Sequence, residues 1–158
     1  MRLLVCGGRD FNHRELLFGV LDDLHAKIGV TCLIHGGAAG ADALAARWAS
    51  LRKIRAICFK ADWDKYGRSA GPIRNDRMLH NGRPELVAAF PGDAGTADIV
   101  ARARKAGLPV MEIPPRARGA RSVPDVNERG PLQGTNDLNR AIEPQMKVAH
   151  PPRRRTRR

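Results

Sequence analysis

Thr31-Cys32-Leu33-Ile34-His35-Gly36-Gly37-Ala38-Ala39-Gly40-Ala41-Asp42 runs straight into Ala43-Leu44-Ala45-Ala46-Arg47-Trp48-Ala49. The first residues read as a short buried strand and those from Ala41 onward as a helix. Gly36, Gly37 and Gly40 therefore fall in a turn that delivers the chain from a strand to a helix N-terminus. Such a turn leaves amide N–H groups uncovered and aims the positive end of a helix dipole outward, which suits a phosphate or another anion. Tight packing alone is the competing explanation, since glycine also serves turns that hold nothing.

Working outward, the same alternation repeats. Short apolar runs fall at residues 3–6, 31–35, 55–59, 86–90 and 110–113, and read as strands. Helical patterns lie between them: from about Asn12, a candidate N-cap, to Lys27 with Gly29 as the stop; Ala41 to Leu51; Pro72 to Asn81 with proline in the first turn; and Thr96 to Ala106 before Gly107. Strands alternating with helices predict an α/β fold, a doubly wound parallel five-stranded sheet of order 3-2-1-4-5 with helices on both faces. Continuous apolarity in the strands predicts burial on both sides. Glycine-rich turns follow three of them: Gly7-Gly8-Arg9-Asp10-Phe11, the 36–40 turn, and Pro91-Gly92-Asp93-Ala94-Gly95-Thr96. In that strand order all three emerge at one carboxyl edge, where the winding reverses, and one crevice collects them. Neither GxGxxG nor GxxxxGK[ST] occurs, so an ordinary NAD site or a P-loop has no support.

Composition sets the outer limits. The chain has 158 residues, enough for one core, with no apolar run of membrane-spanning length and a start that enters a strand without a leader, so a cytoplasmic location and no membrane partner are expected. Cys6, Cys32 and Cys58 have no metal-binding spacing and sit in apolar segments; reduced, buried thiols and no metal are expected. The net charge of +12 is uneven, because residues 114–158 hold eleven basic and four acidic side chains. That Pro- and Arg-containing tail lacks hydrophobic periodicity and is expected to be disordered, leaving residues 1–113 as the folded domain. Its end, RRRTRR, is suited to nonspecific nucleic-acid binding by phosphate neutralisation, or is simply a solvated terminus.

Four ordered motifs, CGGRDF, IHGGAAGADALAARWA, ADWDKYGRSAGPIRNDRM and AAFPGDAGTADIVARARKAGLPV, resemble the YspA-like branch of the SLOG superfamily over about residues 1–113. These are Rossmann-like domains related to the lonely-guy phosphoribohydrolases and to DNA-processing protein A. The resemblance implies a compact domain that binds a nucleotide or nucleotide-derived ligand, as a sensor or processor, with no further cofactor required. The phosphoribohydrolases carry R-K-x-x-M on a helix and then P-G-G-x-G-T-x-x-E, whose arginine and glutamate act on an N-glycosidic bond. Arg74-Asn75-Asp76-Arg77-Met78 and Pro91 to Ile99 align with these, keeping Arg74, Met78, Gly92, Gly95 and Thr96. The glutamate position is Ile99, the lysine is Asn75, and the second glycine is Asp93, which brings a negative charge beside the expected phosphate cradle. Asp98 comes one place early, a rotation of roughly 100° on a helix.

Individual residues divide as follows. Gly7, Gly8, Gly36, Gly37, Gly40, Gly92, Gly95 and Thr96 are candidates for backbone or hydroxyl contacts to phosphate, against turn geometry alone. Arg74, with Asn75 beside it, could grip a phosphate by a bidentate fork, or pair with Asp76 or Asp62. Arg9 and Asp10 should stand at the crevice rim, on the ligand or on each other. Asp42 either meets a ribose or base or simply complements its helix dipole. Asp62 and Trp63 lie in KADWDKYGRSAGP, the longest stretch that reads as irregular and a natural lid, where Trp63 or Tyr66 could stack on a base or anchor the loop in the core. Trp48 reads as core and His35 as a satisfied structural histidine. Were the domain an enzyme, it would be a nucleotide N-glycosidic hydrolase with Arg74, Asp10 or Asp98 as candidate catalytic residues. The sequence leaves a homo-oligomer open.

Overall fold

A computed structural model describes residues 1–115. Five strands, β1 (Arg2–Cys6), β2 (Cys32–His35), β3 (Arg55–Cys58), β4 (Leu86–Ala89) and β5 (Val110–Glu112), form one sheet in the order β3-β2-β1-β4-β5. Every pairing is parallel, with Leu3 opposite both Leu33 and Leu86. This is the doubly wound α/β arrangement that the alternation of strand and helix predicts. The basic tail beyond residue 115, expected to be disordered, lies outside the described residues.

Alternate residues of the central strands feed two cores, as the pleat requires. Leu3, Val5, Leu33 and Ala88 face one side, under α1 (Arg14–Ile28) and α2 (Ala41–Leu51), where Leu17, Leu21 and Trp48 complete the packing. Leu4, Cys6, Ile34 and Val87 face the other, under α4 (Ala70–His80) and α5 (Ala94–Lys105), where they meet Met78, Ile99 and Val100. Each fully buried Leu, Ile or Val contributes about 1.5–3 kcal/mol over its exposed state, so these two clusters dominate the favourable side of folding. Trp48 is fully buried and satisfies its one polar atom by donating Nε1–H to Asp22 at 2.8 Å.

Several boundaries and environments differ from the sequence reading. Helix α1 starts at Arg14 with His13 rather than Asn12 as N-cap, and the Asn12 carbonyl accepts the Arg14 N–H instead. Gly29 ends it as expected, at φ 62°. Helix α4 begins two residues before Pro72, whose missing N–H is no loss within a first turn. Helix α5 begins at Ala94 because Asp93 caps it, its carboxylate accepting the Gly95 N–H at 3.0 Å. The stretch before α4 is ordered rather than irregular: Asp62 caps a single helical turn, α3 (Trp63–Tyr66), by accepting the Lys65 N–H, and a 3₁₀ turn at Gly67–Ser69 leads into α4. Strand β3 lies at the sheet edge and is largely exposed, Cys58 included, so only Cys6 and Cys32 are buried thiols. Trp63 does not anchor its segment in the core; it is 49% exposed. No helix among the described residues is long and apolar enough to cross a membrane.

Candidate ligand cleft

The three glycine turns meet above β1 and β4. The Gly8 N–H donates to the Pro91 carbonyl at 2.9 Å and the Ala41 N–H donates to the Gly8 carbonyl at 3.2 Å, so the first turn bridges the other two. A Cβ at Gly40 would overlap the backbone of Gly8 and Arg9, and one at Gly92 would press on Thr96 and the Gly8 amide. Here glycine is required by close approach of main chains. Beside this junction, at the switch point of the sheet, opens a cleft of about 470 Å³, within the usual range for small-molecule sites.

Nine of the residues expected at a site reach this cleft: Gly7, Arg9, Asp42, Trp63, Arg74, Asn75, Gly95, Thr96 and Asp98. Gly36 and Gly37 line an adjoining hollow of about 430 Å³ that shares Arg9, Trp63 and Arg74 with the first. Gly92 faces a third hollow on the far side of the α5 start, and Thr96 borders both. Gly8 and Gly40 serve the packing junction rather than a wall, Asp62 caps α3, and exposed Asp10 lines none of these hollows. Arg68 and Lys60 are lining residues that sequence reasoning did not single out, and Met78, matched to the motif without a role, lines the cleft as well. Arg68 and Lys60 carried a signal, being cations within the segment read as a lid.

Two of the turns spend amides on the protein's own carboxylates. Asp42, 5% exposed, accepts the Gly36 N–H at 3.0 Å and the Ala38 N–H at 3.1 Å, and lies 3.9 Å from the Arg74 guanidinium. Burial nevertheless outweighs those contacts and pushes its pKa above the usual carboxylate range. The Gly37 N–H donates to His35 Nδ1 at 3.2 Å, and burial holds that imidazole below its ordinary pKa, in the neutral form that can accept. At the floor, burial pushes the Cys6 thiol up to about 12, so it stays protonated and unreactive at neutral pH.

Arg74 donates Nη1–H to the Gly36 carbonyl at 2.8 Å and Nε–H to Asn75 Oδ1 at 3.0 Å; no hydrogen bond within the described residues takes Nη2. Asn75, 2% exposed, passes the connection on through its Nδ2, which reaches the Asp98 carboxylate at 2.9 Å and the Gly95 carbonyl at 3.3 Å. Asp98 is held from its other side by Arg102, whose Nε lies 2.9 and 2.8 Å from the two carboxylate oxygens. The aligned glutamate position, Ile99, is 1% exposed within the core under α5 and offers no functional atom. At the mouth, the Arg9 guanidinium stands 5.3 Å from the centre of the Trp63 ring, a cation–π pair on a half-open aromatic face.

The YspA, cpYpsA-related SLOG family model matches residues 1–66, which contain β1 to α3 and with them the first two glycine turns and Trp63. Gene 61 protein of Mycobacterium phage D29 is 36% identical over 120 residues, an overlap of 71% of this chain and 95% of that protein. The chain belongs to that SLOG family. SLOG membership is consistent with binding or processing of a nucleotide-related ligand, and it names neither the ligand nor a reaction. Arg74, Asn75 and the Asp93–Asp98 turn of this SLOG chain lie beyond the family match, so their roles rest on the geometry above.

Proposed function

We propose that this SLOG domain binds a nucleotide or nucleotide-derived small molecule in the cleft above β1 and β4, as a sensor or ligand-processing module. The observation that carries the reading is the convergence, on one cleft at the switch point, of three guanidinium groups (Arg9, Arg68 and Arg74) and the half-exposed ring of Trp63. Guanidinium forks suit phosphate oxygens and an open indole suits a base, a combination that a purely structural hollow does not need. Isothermal titration against a panel of nucleoside mono- and diphosphates, with wild type and a Trp63→Ala variant, tests it. Loss of base stacking should weaken binding by about 1–3 kcal/mol, since stacking on an aromatic is worth that much per base. Equal affinity in both proteins, or no binding to wild type, rejects it.

A second reading, hydrolysis of an N-glycosidic bond, has one observation in its favour. Asp98, not Ile99, presents a carboxylate at the cleft wall, oriented by Asn75 and Arg102. A fixed carboxylate can stabilise positive charge developing on a sugar or accept a proton from water. Release of free base from the same nucleotides, abolished in Asp98→Asn, would establish it; absence of turnover with every panel member removes it.

A further inference from the structure

The cleft is divided by charge. Its cations, Arg9, Arg68 and Arg74, come from the β1 turn and from the segment running through α4, whereas α5 contributes Asp93, Thr96 and Asp98. On the α5 side, Asp93 already caps the helix through the Gly95 N–H, so the N-terminal dipole faces a resident negative charge. A phosphate entering that turn would meet a second like charge in Asp98. A sugar hydroxyl would instead find acceptors. The Asp98 carboxylate, with its side chain one-third exposed, keeps lone-pair capacity beyond the N–H groups of Asn75 and Arg102, and Asp93 is open to solvent. Buried Asn75 ties the sides together, accepting from Arg74 and donating to Asp98, so the spacing between cation and carboxylate is fixed by the fold.

Building on the nucleotide reading of this site, we propose that the ligand lies with its phosphate against the arginines and its sugar hydroxyls against Asp93 and Asp98, and that Asp93 is a specificity residue for the sugar. This orientation is the reverse of one that would seat phosphate in the Gly92–Thr96 turn. Charge-assisted bonds from a 2′- or 3′-hydroxyl to a carboxylate are about twice as strong as neutral ones, so the carboxylates should distinguish ribose from deoxyribose.

The test is a crossed comparison of affinities by titration calorimetry, using wild type, Asp93→Asn and Arg68→Gln. Asp93→Asn keeps an oxygen to cap α5, and Arg68 is exposed, so both variants should fold; circular dichroism melting verifies it. The probes are the four ribonucleoside 5′-monophosphates, their 2′-deoxy forms and the matching nucleosides. In Asp93→Asn the ribose-to-deoxyribose preference should fall by about threefold or more while the phosphate-to-nucleoside preference holds, as expected for loss of a charged acceptor. In Arg68→Gln the pattern should be the opposite. A rise of about tenfold in phosphate preference in Asp93→Asn, with no change in sugar preference, would place phosphate at α5 and overturn the orientation. If wild type binds nothing in the panel, the nucleotide reading itself falls and takes the orientation with it. Binding with the wrong crossed pattern sinks the orientation alone.

Discussion

The 36–40 turn and the 91–96 turn look alike in sequence, each a glycine-rich passage from a strand to a helix, yet they treat their nearby carboxylate in different ways. Asp42, in the first turn of α2, folds its carboxylate back under the 36–40 turn, shielded from solvent, and its two amide contacts and the nearby Arg74 make it part of the protein's internal polar structure. Asp93, within the 91–96 turn itself, is exposed and bonds a single amide at the first turn of α5. The first arrangement fixes the shape of the cleft floor. The second leaves a charge available at the cleft wall. Glycine spacing alone therefore does not mark an anion cradle; what decides is whether a carboxylate of the same chain already occupies the amides, and whether solvent can reach it.

The contrast can be broken most severely at Gly40, where the backbone sits at φ 72° and a Cβ would overlap the main chain of the first turn. Gly40→Ala should cost on the order of 2–6 kcal/mol, combining about 1–3 for a side chain at φ 72° and ψ −124°, a backbone conformation that only glycine adopts readily, with about 1–3 for overpacking. The control is Gly29→Ala, at φ 62° with open space around it, which should lose only the left-handed penalty. Urea midpoints for the two variants measure the difference, and equal losses would mean that the turns are not tightly joined. Comparable in size is Asp42→Ala, which leaves two amides without their acceptor and Arg74 without its neighbouring carboxylate; removing one partner of a buried pair costs about 3–5 kcal/mol. Asp42→Asn keeps an oxygen for both amides and should recover about half of that loss if hydrogen bonding to buried amides carries its usual share. A tolerated Asp42→Ala would show that the pair contributes little.

These energies also mark how far the sequence could be read. Strand order, the switch point and the meeting of three turns were legible because they follow from periodicity and from glycine placement, both local signals. Trp48 in the core and His35 as a satisfied histidine were legible for the same reason: each sits in an apolar pattern beside a short turn. Partner choice was not. Whether Asp42 would face a ligand or fold back onto Gly36 and Ala38 depends on the three-dimensional path of a five-residue loop, which no spacing rule encodes. Asp93 did carry the ordinary signature of a helix cap, masked by the alignment that read it as a substituted glycine. The exposure of β3 escaped, although the predicted order already put it at an edge, because an apolar run looks the same whether or not its faces are covered. Lys60 and Arg68 were readable as cations but not as wall residues, since their reach depends on α3 and the 3₁₀ turn being folded.

A smaller effect separates the two carboxylates directly. Asp93→Ala removes one exposed cap and should cost about 1 kcal/mol, the usual size for loss of an N-cap. That is well below the loss from Asp42→Ala. Thermal melts of the two variants side by side test the ranking, and an Asp93→Ala loss as large as that of Asp42→Ala would erase the distinction between an internal and an available charge.

The subtlest consequence lies in the pH dependence at the internal turn. His35 has a folded-state pKa below its ordinary value, first because it is buried and then because Arg74 is near, with Asp42 pulling the other way. Below about 6.5 the unfolded histidine takes up a proton that the folded one resists, so the unfolded state binds more protons and stability falls as pH drops from 6.5 toward the folded pKa. Protonation at Nδ1 would also end its acceptance of the Gly37 N–H. Asp42 runs in the opposite sense: its raised pKa means that the folded state gains protons first, so its contribution to stability grows as pH falls from its folded pKa toward the ordinary carboxylate value. His35→Asn places an oxygen near the Nδ1 position and cannot titrate. Chemical denaturation of wild type and this variant at pH 7.5 and 5.5 should show a smaller acid loss in the variant, and an unchanged loss would assign the acid sensitivity to another group.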